Sequence, residues 1–290
     1  MNALWWKPRE GGGVSCGLCF RGCAMAEGEA GFCGVRFNSR GKLMSPWLGR
    51  FCARAIDPVE KKPLACWRPG SFIYSLGSVG CTMDCPFCQN WHISRPGIEA
   101  CGCFAAVPEL SPAGLVREVR ELGLDSVAIT YNEPTLQAEY VLEVAPLLRE
   151  AGIALVLVTN GVMSRSAADA LIPCLGPEGA ANIDIKAFTA DGYRKLGGDL
   201  RTVMDNITAF VRSEVHVELT HLVVPGLNGG AEEFAAMVEW IASLSKDIPL
   251  HISRYFPKRN YIAKATDISL MHYLAGIARG RLRRVHLGNI

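Results

Sequence analysis

The sequence predicts an α/β protein that consists of a partial (β/α)6 barrel and a small cysteine-rich N-terminal module. From residue 71 onward, short apolar segments with β-branched residues alternate with segments whose apolar residues recur at helical spacing. Before that point the chain is rich in glycine, cysteine and tryptophan and has little periodicity. We therefore divide the chain into a cysteine-rich module, 1–70, and a barrel, 71–290.

The predicted barrel strands are short apolar runs that end in glycine or polar residues. They are 71–77, 124–130, 153–161, 181–188, 215–226 and 248–255, with a last short strand at 283–288. The segments between them fit helices; Ser111 can cap the first, and Pro112 suits its first turn. Strands separated by helices form a parallel sheet, here a partial TIM-like barrel, whose site lies at the carboxyl ends of the strands.

Composition excludes several classes of function. The 290 residues are 49% hydrophobic and 20% charged, as in ordinary globular proteins, and the net charge of +2 predicts no broad nucleic-acid surface. No basic segment followed by an apolar run opens the chain, and the apolar run 153–158 is far shorter than the roughly 20 residues of a membrane span. We therefore expect a cytoplasmic protein, in which the twelve cysteines bind metal rather than form disulfides.

Three cysteines follow the first barrel strand with the spacing C-x3-C-x2-C: Cys81, Cys85 and Cys88. A closed structural zinc site needs four ligands, so three thiolates in one loop indicate a metal centre with one open position. Cysteine thiolates hold iron–sulfur cubanes, normally four per cluster, and three would leave one iron free. Gly80 lets the chain turn sharply off the strand. A zinc loop or a chance cluster is the alternative reading.

Four more cysteines lie in the N-terminal module with the spacing C-x2-C-x3-C-x9-C: Cys16, Cys19, Cys23 and Cys33. They predict a second metal site, either a structural zinc ion or a second iron–sulfur cluster that delivers electrons; four free thiols are the alternative. Cys101 and Cys103 fit a redox pair or extra ligands. The remaining three, expected to be small buried residues, are Cys52, Cys66 and Cys174.

Polar residues lie at the ends of several of the other predicted strands. Strand four carries Asp184 and Lys186 in alternation with apolar residues, which places both on one face. This face is the lumen if Ile183 and Ile185 pack against helices, and the two charged residues then need partners; a structural ion pair is the alternative. The further candidates at strand ends are Asn132, Glu133, Thr159, Asn160, His251 and Arg254, together with His221. A histidine on a strand is often a core residue, and Asn132 and Glu133 also suit a helix start.

Motifs along nine tenths of the chain resemble the radical S-adenosylmethionine (SAM) superfamily. The motifs CxLCxRxC, DPVEKKPL, SLGSVGCTMDCPFCQNW, TYNEPT, VTNG, NIDIKAF, HLVVPGLN, HISRYFP and HLGNI run in order. They resemble the radical enzyme of the AmmeMemoRadiSam system, which is similar to pyruvate formate-lyase activating enzymes. The resemblance implies a [4Fe–4S] cluster on three cysteines whose open iron binds SAM. Reductive cleavage of SAM then gives a 5′-deoxyadenosyl radical that abstracts a substrate hydrogen.

The resemblance also implies roles for the residues at the strand ends. Asn132 and Glu133 would hold the amino group of SAM, and Lys186 would hold its carboxylate. Asp184 would bind the ribose or a cation. Thr159 and Asn160 would contact the ligand or a cation, although Val158 replaces an acidic residue of some activating enzymes, which argues against a cation site. The adenosyl group or the substrate would be reached by His251 or Arg254.

Three functions compete at this stage. The first is a radical enzyme that abstracts hydrogen from a glycine of a protein, and the second is one that modifies a small molecule or a peptide. Both need an external reductant such as flavodoxin or ferredoxin, and the sequence identifies no substrate. The third is a non-catalytic iron–sulfur or zinc carrier, which the residues implied around SAM argue against.

Overall fold

The computed structural model describes residues 3–94 and 106–290. Its N-terminal part contains a small antiparallel sheet of β1 (Trp6–Pro8), β2 (Val14–Cys16) and β3 (Ala24–Met25), followed by a hairpin of β4 (Phe37–Ser39) and β5 (Lys42–Met44). Arg40 and Gly41 join the two hairpin strands with positive φ angles of 54° and 69°. Positive φ at both turn residues matches the twist of the strands.

A single sheet of eight strands forms the barrel wall. The strands lie side by side in sequence order, and every neighbouring pair is parallel except the pair formed by the first two strands in the chain, which is antiparallel. The strands are β6 (Ala53–Pro58), β7 (Phe72–Gly77), β8 (Ser126–Ile129), β9 (Ala154–Thr159), β10 (Ala180–Asp184), β11 (His216–Val223), β12 (Leu250–Arg254) and β13 (Val285–Gly288). β6 and β13 are the two ends of the sheet, so the predicted partial parallel barrel is confirmed.

Helices follow most of the parallel strands. They are α1 (Trp91–Ser94), α2 (Pro112–Glu121), α3 (Ala138–Glu150), α4 (Arg165–Leu175), α5 (Ala190–Lys195), α6 (Leu200–Val211), α7 (Ala231–Leu244) and α8 (Ile268–Arg279). Ser111 caps α2 by accepting a hydrogen bond from the Gly114 N–H, as the sequence predicts. Asp199 caps α6 in the same way, since its side chain accepts a hydrogen bond from the Thr202 N–H.

The strand β6 was not expected. Residues 53–58 precede the predicted boundary at residue 70, yet they pair antiparallel with β7 and extend the sheet. The division into 1–70 and 71–290 stays a prediction, with the first segment contributing one strand to the second.

Residues 59–68 form a floor across the amino-terminal end of the barrel. The Glu218 carboxylate, inside the barrel on β11, accepts hydrogen bonds from the N–H groups of Ala65 and Cys66 at 3.0 and 2.8 Å. Asn182 on β10 donates to the Pro63 carbonyl at 2.8 Å. Because this segment joins β6 to β7, it closes the end of the lumen opposite to the carboxyl ends of the strands.

Apolar side chains fill both sides of the barrel wall. The larger cluster lies between the sheet and its helices, and a smaller one fills the lumen above the floor with Val59, Leu64, Trp67 and Val156 among its members. Across the described ranges, no helix is long and apolar enough to cross a membrane.

Candidate metal and nucleotide site

The three-cysteine loop follows β7 at the carboxyl end of the sheet, as predicted. Gly80 starts it with φ of +90°, and a Cβ at this position would lie 2.7 Å from the Cys33 carbonyl oxygen. Only glycine fits both the backbone conformation and the close approach. Cys85 is buried, while Cys81 and Cys88 are half-buried. The loop therefore presents three thiols from a turn that is packed against the N-terminal cysteines.

A second loop, which follows β12, holds the cysteine loop from the other side. Arg259 donates to the Asp84 carboxylate at 2.7 Å and to the Cys85 carbonyl at 2.9 Å. Phe87 packs edge-on against Tyr255 and Tyr261, with ring centroids 6.3 and 6.1 Å apart. The sequence analysis did not single out Arg259; its only signal is a cation shortly after the SRYFP motif. These contacts fix the loop geometry that three metal ligands require.

Hydrogen-bond donors point at the sulfur of Cys81. The Met83 N–H donates to Cys81 Sγ at 3.5 Å, and the Asn160 side-chain amide donates to the same sulfur at 3.6 Å. Asn160 also donates to Thr82 Oγ1 at 2.9 Å. Donors to a ligand sulfur stabilise its negative charge and tune the potential of a metal centre. The structure thus brings Asn160 to the cysteine loop.

The electrostatics of the loop fit a positively charged centre. Burial raises the pKa of Cys85 to about 11, against the lowering effect of Lys186, and burial together with the Glu133 charge raises the pKa of Cys81. Metal binding requires thiolates. A cationic metal centre stabilises the negative charge of these sulfurs, which burial alone destabilises. Three sulfurs in one loop, with donors directed at one of them, therefore suit a cluster with one open iron.

Glu133 is fully buried and links the ends of β8 and β9. Its carboxylate accepts from the Thr135 N–H and hydroxyl at 3.0 and 2.5 Å, from the Thr159 hydroxyl at 2.7 Å and from the Asn160 N–H at 2.9 Å. Three of these bonds end on Oε1 and one on Oε2, so Oε2 keeps an acceptor site for a further donor. Glu133 positions Thr159 and Asn160 beside the loop; its contact with an amino group stays a prediction.

Asn132 braces the turn that leads into the three cysteines. Its side-chain oxygen accepts from the Ser78 N–H at 3.1 Å, and its amide donates to the Gly80 carbonyl at 2.9 Å. Asn90, just after the cysteines, donates to the Tyr131 carbonyl at 2.7 Å. These bonds tie both ends of the cysteine loop to the segment after β8. The predicted contact of Asn132 with SAM is not tested by this geometry.

Asp184 and Lys186 form an ion pair of 2.8 Å at the end of β10. Burial lowers the pKa of Lys186, but the charges of Asp184 and Cys85 outweigh it and the pKa is raised, so the amine stays protonated. The backbone N–H of Lys186 donates to the hydroxyl of buried Tyr193 at 3.1 Å. The pair lies beside the cysteine loop, where its ammonium can hold a carboxylate of a ligand.

His251 and Arg254 are engaged elsewhere. His251 Nε2 lies 2.6 Å from the Glu218 carboxylate, and its ring stacks on His286. Arg254 donates to the Thr266 carbonyl at 2.8 Å and packs over Phe256, on the face of the sheet opposite to His251. His251 thus holds Glu218, the residue that anchors the floor. Contacts of His251 or Arg254 with adenosine or substrate stay predictions.

His221 is a core residue. It faces α7, with its ring edge-on to Phe234 and its Nδ1 2.7 Å from the Ile185 carbonyl. Burial lowers its pKa to about 4, so it is neutral at physiological pH. It therefore belongs to the packing between sheet and helix.

The N-terminal cysteines Cys16, Cys19, Cys23 and Cys33 line one cavity together with Thr82. Burial raises the pKa of Cys19 to about 12, against a backbone hydrogen bond that lowers it. Cys101 and Cys103 lie outside the described residues. Of the three cysteines expected to be buried, Cys52 is exposed, and Cys66 and Cys174 are half-buried, so that expectation is wrong. The structure supports the grouping of the first four without identifying a metal.

Residues 76–241, which span β7 to α7, match the Radical SAM superfamily. The chain belongs to the radical SAM superfamily. Radical SAM enzymes hold a [4Fe–4S] cluster and SAM and take an electron from an external reductant. The open iron deduced from three cysteines agrees with this chemistry.

Relatives of this radical SAM chain include proteins of several kinds. An uncharacterized protein of Methanocaldococcus jannaschii, MJ0808, is 32% identical over 296 residues, covering 100% of this chain and 85% of its own length. Streptococcus suis SuiB bound to S-adenosylmethionine has a TM-score of 0.55 at 14% identity over 72% of this chain and 47% of that chain. A radical SAM methyltransferase from Sphaerobacter thermophilus has a TM-score of 0.52 at 16% identity over 76% and 67%. The chain thus spans about half the length of SuiB, and the two structures share its fold.

Proposed function

We propose that this chain is an activating-enzyme-like radical SAM enzyme of the AmmeMemoRadiSam branch, which abstracts hydrogen from a glycine of a protein. The observation that carries the proposal is the loop of Cys81, Cys85 and Cys88 at the carboxyl end of the sheet, with the Asp184–Lys186 pair beside it. A carrier protein needs three or four cysteines but no such paired charges. Sequence motifs similar to those of pyruvate formate-lyase activating enzymes support the finer assignment.

The protein's part in the reaction is binding, orientation and electrostatics. When bound, the cluster and SAM supply a one-electron cleavage of a carbon–sulfur bond, which yields a 5′-deoxyadenosyl radical able to take a substrate hydrogen. Lys186 would hold the carboxylate of SAM through a charge-assisted hydrogen bond. Asn160, which donates to the sulfur of Cys81, would tune a cluster bound there, and Asp184 keeps Lys186 protonated and in place.

Surface features at the mouth of the barrel favour a macromolecular substrate. Phe256 and Ile262, on the loop after β12, are 46% and 88% exposed, and Trp91 after the cysteine loop is 47% exposed. Exposed apolar side chains around a mouth are typical of a docking surface. The sheet is also open between β6 and β13, which leaves a side of the lumen without a strand. A small-molecule substrate would need neither feature.

The first experiment tests SAM cleavage. Anaerobically reconstituted, reduced protein is expected to convert SAM to 5′-deoxyadenosine and methionine, quantified by chromatography. Serine at Cys81, Cys85 or Cys88 should lower the rate at least about 100-fold, because a missing ligand removes the cluster or its open iron. Cys174→Ser, in α4, is the matched control and should keep the rate. Retained activity in all three loop variants would refute the proposal.

The second experiment tests the substrate class. The reduced enzyme and SAM are mixed with the protein fraction of a cell extract and, separately, with its small-molecule fraction. A glycyl radical doublet in the electron paramagnetic resonance spectrum of the protein fraction supports the proposal. Consumption of SAM that responds only to the small-molecule fraction contradicts the glycine assignment and favours modification of a small molecule. A peptide substrate would show a mass change without a stable radical.

A further inference from the structure

Four cysteines of the N-terminal part surround a single cavity. The cavity is small, with a volume of about 20 Å³, and its wall contains Arg36 and Thr82 besides the four cysteines. Cys16 ends β2, and Cys19 and Cys23 lie in the connection to β3, which is closed by a hydrogen bond from the Cys16 N–H to the Cys23 carbonyl at 2.8 Å. The fourth comes from the turn after Gly31. The cysteines on the wall are Cys16, Cys19, Cys23 and Cys33.

The arrangement of these four cysteines argues against a single zinc ion. Zinc holds four thiolates at about 2.3 Å from one point, so that the four sulfurs converge on that point. A cubane binds each thiolate to a different iron and spreads the sulfurs around its own volume. In residues 3–94 and 106–290, no three cysteine, histidine or carboxylate side chains converge on a position for one metal ion. The side chains of Cys81, Cys85 and Cys88, which the superfamily uses for a cubane, also do not converge on one ion position. The N-terminal set resembles them in this respect.

A buried guanidinium adds a second observation at the cavity. Arg36 lines it and is 1% exposed, with its terminal nitrogens on Glu139 and the Leu4 carbonyl at 2.8 and 2.5 Å. Its Nε is buried and has no hydrogen-bond partner among the described residues. A buried donor without a partner is costly, and the sulfurs of a bound cluster would accept its hydrogen.

The cavity adjoins the three-cysteine loop. Thr82, the residue after Cys81, is part of its wall. Gly80 packs directly on the Cys33 carbonyl, and Arg21 donates to the Thr82 carbonyl at 3.0 Å. Two metal centres at these positions would therefore be separated by little more than one layer of side chains.

Part of the cavity wall lies close to the surface of the N-terminal part. Cys19, Cys23 and Cys33 are half-buried, and Phe32 beside them is 38% exposed. A protein reductant can approach this side of the chain without entering the lumen. The position suits a centre that receives electrons from outside and passes them inward.

We propose that Cys16, Cys19, Cys23 and Cys33 bind a second [4Fe–4S] cluster that relays electrons to the cluster on the barrel loop. A low-potential one-electron protein of the flavodoxin or ferredoxin class reduces this cluster and is itself oxidised. The cluster then passes the same electron to the barrel cluster and returns to its oxidised state. The relay role rests on the proposed function, whereas the identity of the metal does not.

Metal analysis of anaerobically purified, reconstituted chains tests the cluster. The unchanged chain should contain about eight iron atoms and no zinc, since each cubane holds about four. A variant with alanine at Cys81, Cys85 and Cys88 should keep about four iron atoms and show a cubane Mössbauer spectrum. Cys52→Ser, outside both sets, is the control and should keep all eight. One zinc and no iron in the triple variant would overturn the proposal, as would a folded triple variant without metal.

The relay is tested by comparing a protein reductant with a small chemical reductant. For Cys19→Ser, the ratio of the flavodoxin-driven to the dithionite-driven rate of 5′-deoxyadenosine formation should fall at least about tenfold, because the small chemical reductant can reach the barrel cluster directly. An unchanged ratio in a variant that has lost about four iron atoms would overturn the relay. Eight iron atoms without any cleavage of SAM would instead contradict the proposed function and leave the second cluster standing.

Discussion

Gly80→Ala tests how tightly the two cysteine sets are packed on each other. The new methyl group would lie 2.7 Å from the Cys33 carbonyl oxygen and 2.8 Å from Val35 Cγ1, and the backbone would keep φ near +90°. A left-handed conformation costs an alanine about 1–2 kcal/mol, and overpacking costs a further 1–3 kcal/mol or so. We expect the free energy of unfolding to fall by about 2–5 kcal/mol.

Gly123→Ala is the matched control. Gly123 has φ of +68° and nothing within 4 Å of its would-be Cβ, so that alanine there carries the conformational cost alone, about 1–2 kcal/mol. Anaerobic urea denaturation of the reconstituted proteins, followed by circular dichroism, gives both values. The double variant with Gly80→Ala and Val35→Ala should lose less free energy of unfolding than the two single variants together, by about 1 kcal/mol or more, because the two side chains contact each other.

If Gly80→Ala and Gly123→Ala lower the free energy of unfolding equally, the reasoning is refuted. Such a result would show that the contact with the Cys33 carbonyl does not contribute to stability. Iron content provides an independent reading. Because the carbonyl belongs to one cysteine set and Gly80 leads into the other, Gly80→Ala should lower the iron bound at both sets, whereas Gly123→Ala should lower neither.

Three further variants test the site and the floor. Lys186→Gln should weaken SAM binding about 10- to 150-fold in anaerobic calorimetry, from about 1.5–3 kcal/mol for a charged hydrogen bond, while Lys195→Gln on exposed α5 should not. Asn160→Ala removes a donor to Cys81 Sγ and should lower the reduction potential of the barrel cluster; a raised potential in a redox titration would contradict this role. Glu218→Gln should lower the urea midpoint at pH 7. Burial raises the pKa of Glu218, but hydrogen bonds from His216, His251 and the Cys66 N–H outweigh it and lower the pKa to about 2. The difference in urea midpoint between the variant and the unchanged protein should therefore close as pH falls from about 4.3 towards that value. A difference in midpoint that persists at low pH would contradict this role of Glu218.

The barrel and its metal loop could be predicted because their signals are local. Apolar runs that end in glycine or polar residues mark β7 to β13, and Ser111 marks the start of α2. The cysteine spacing and Gly80 mark the loop, and its position after β7 follows from the parallel topology. Nothing in this reasoning needs a contact between distant segments.

What the sequence could not predict depends on tertiary contacts. β6 has no apolar alternation; it is held by pairing with β7 and by the buried Asp57–Lys62 pair of 2.7 Å. The Glu133 carboxylate accepts hydrogen bonds from Thr135, Thr159 and Asn160, and the motif TYNEPT alone gives no sign of this. Such partners become visible only when the strand ends meet.

The floor of residues 59–68 makes the lumen a one-ended chamber. Since Glu218 and Asn182 fasten the middle of this segment to the opposite wall, the amino-terminal end of the lumen is closed, and molecules reach the lumen from the carboxyl ends of the strands or through the opening between β6 and β13. Nucleotide, substrate and spent fragments therefore do not pass through the barrel from end to end.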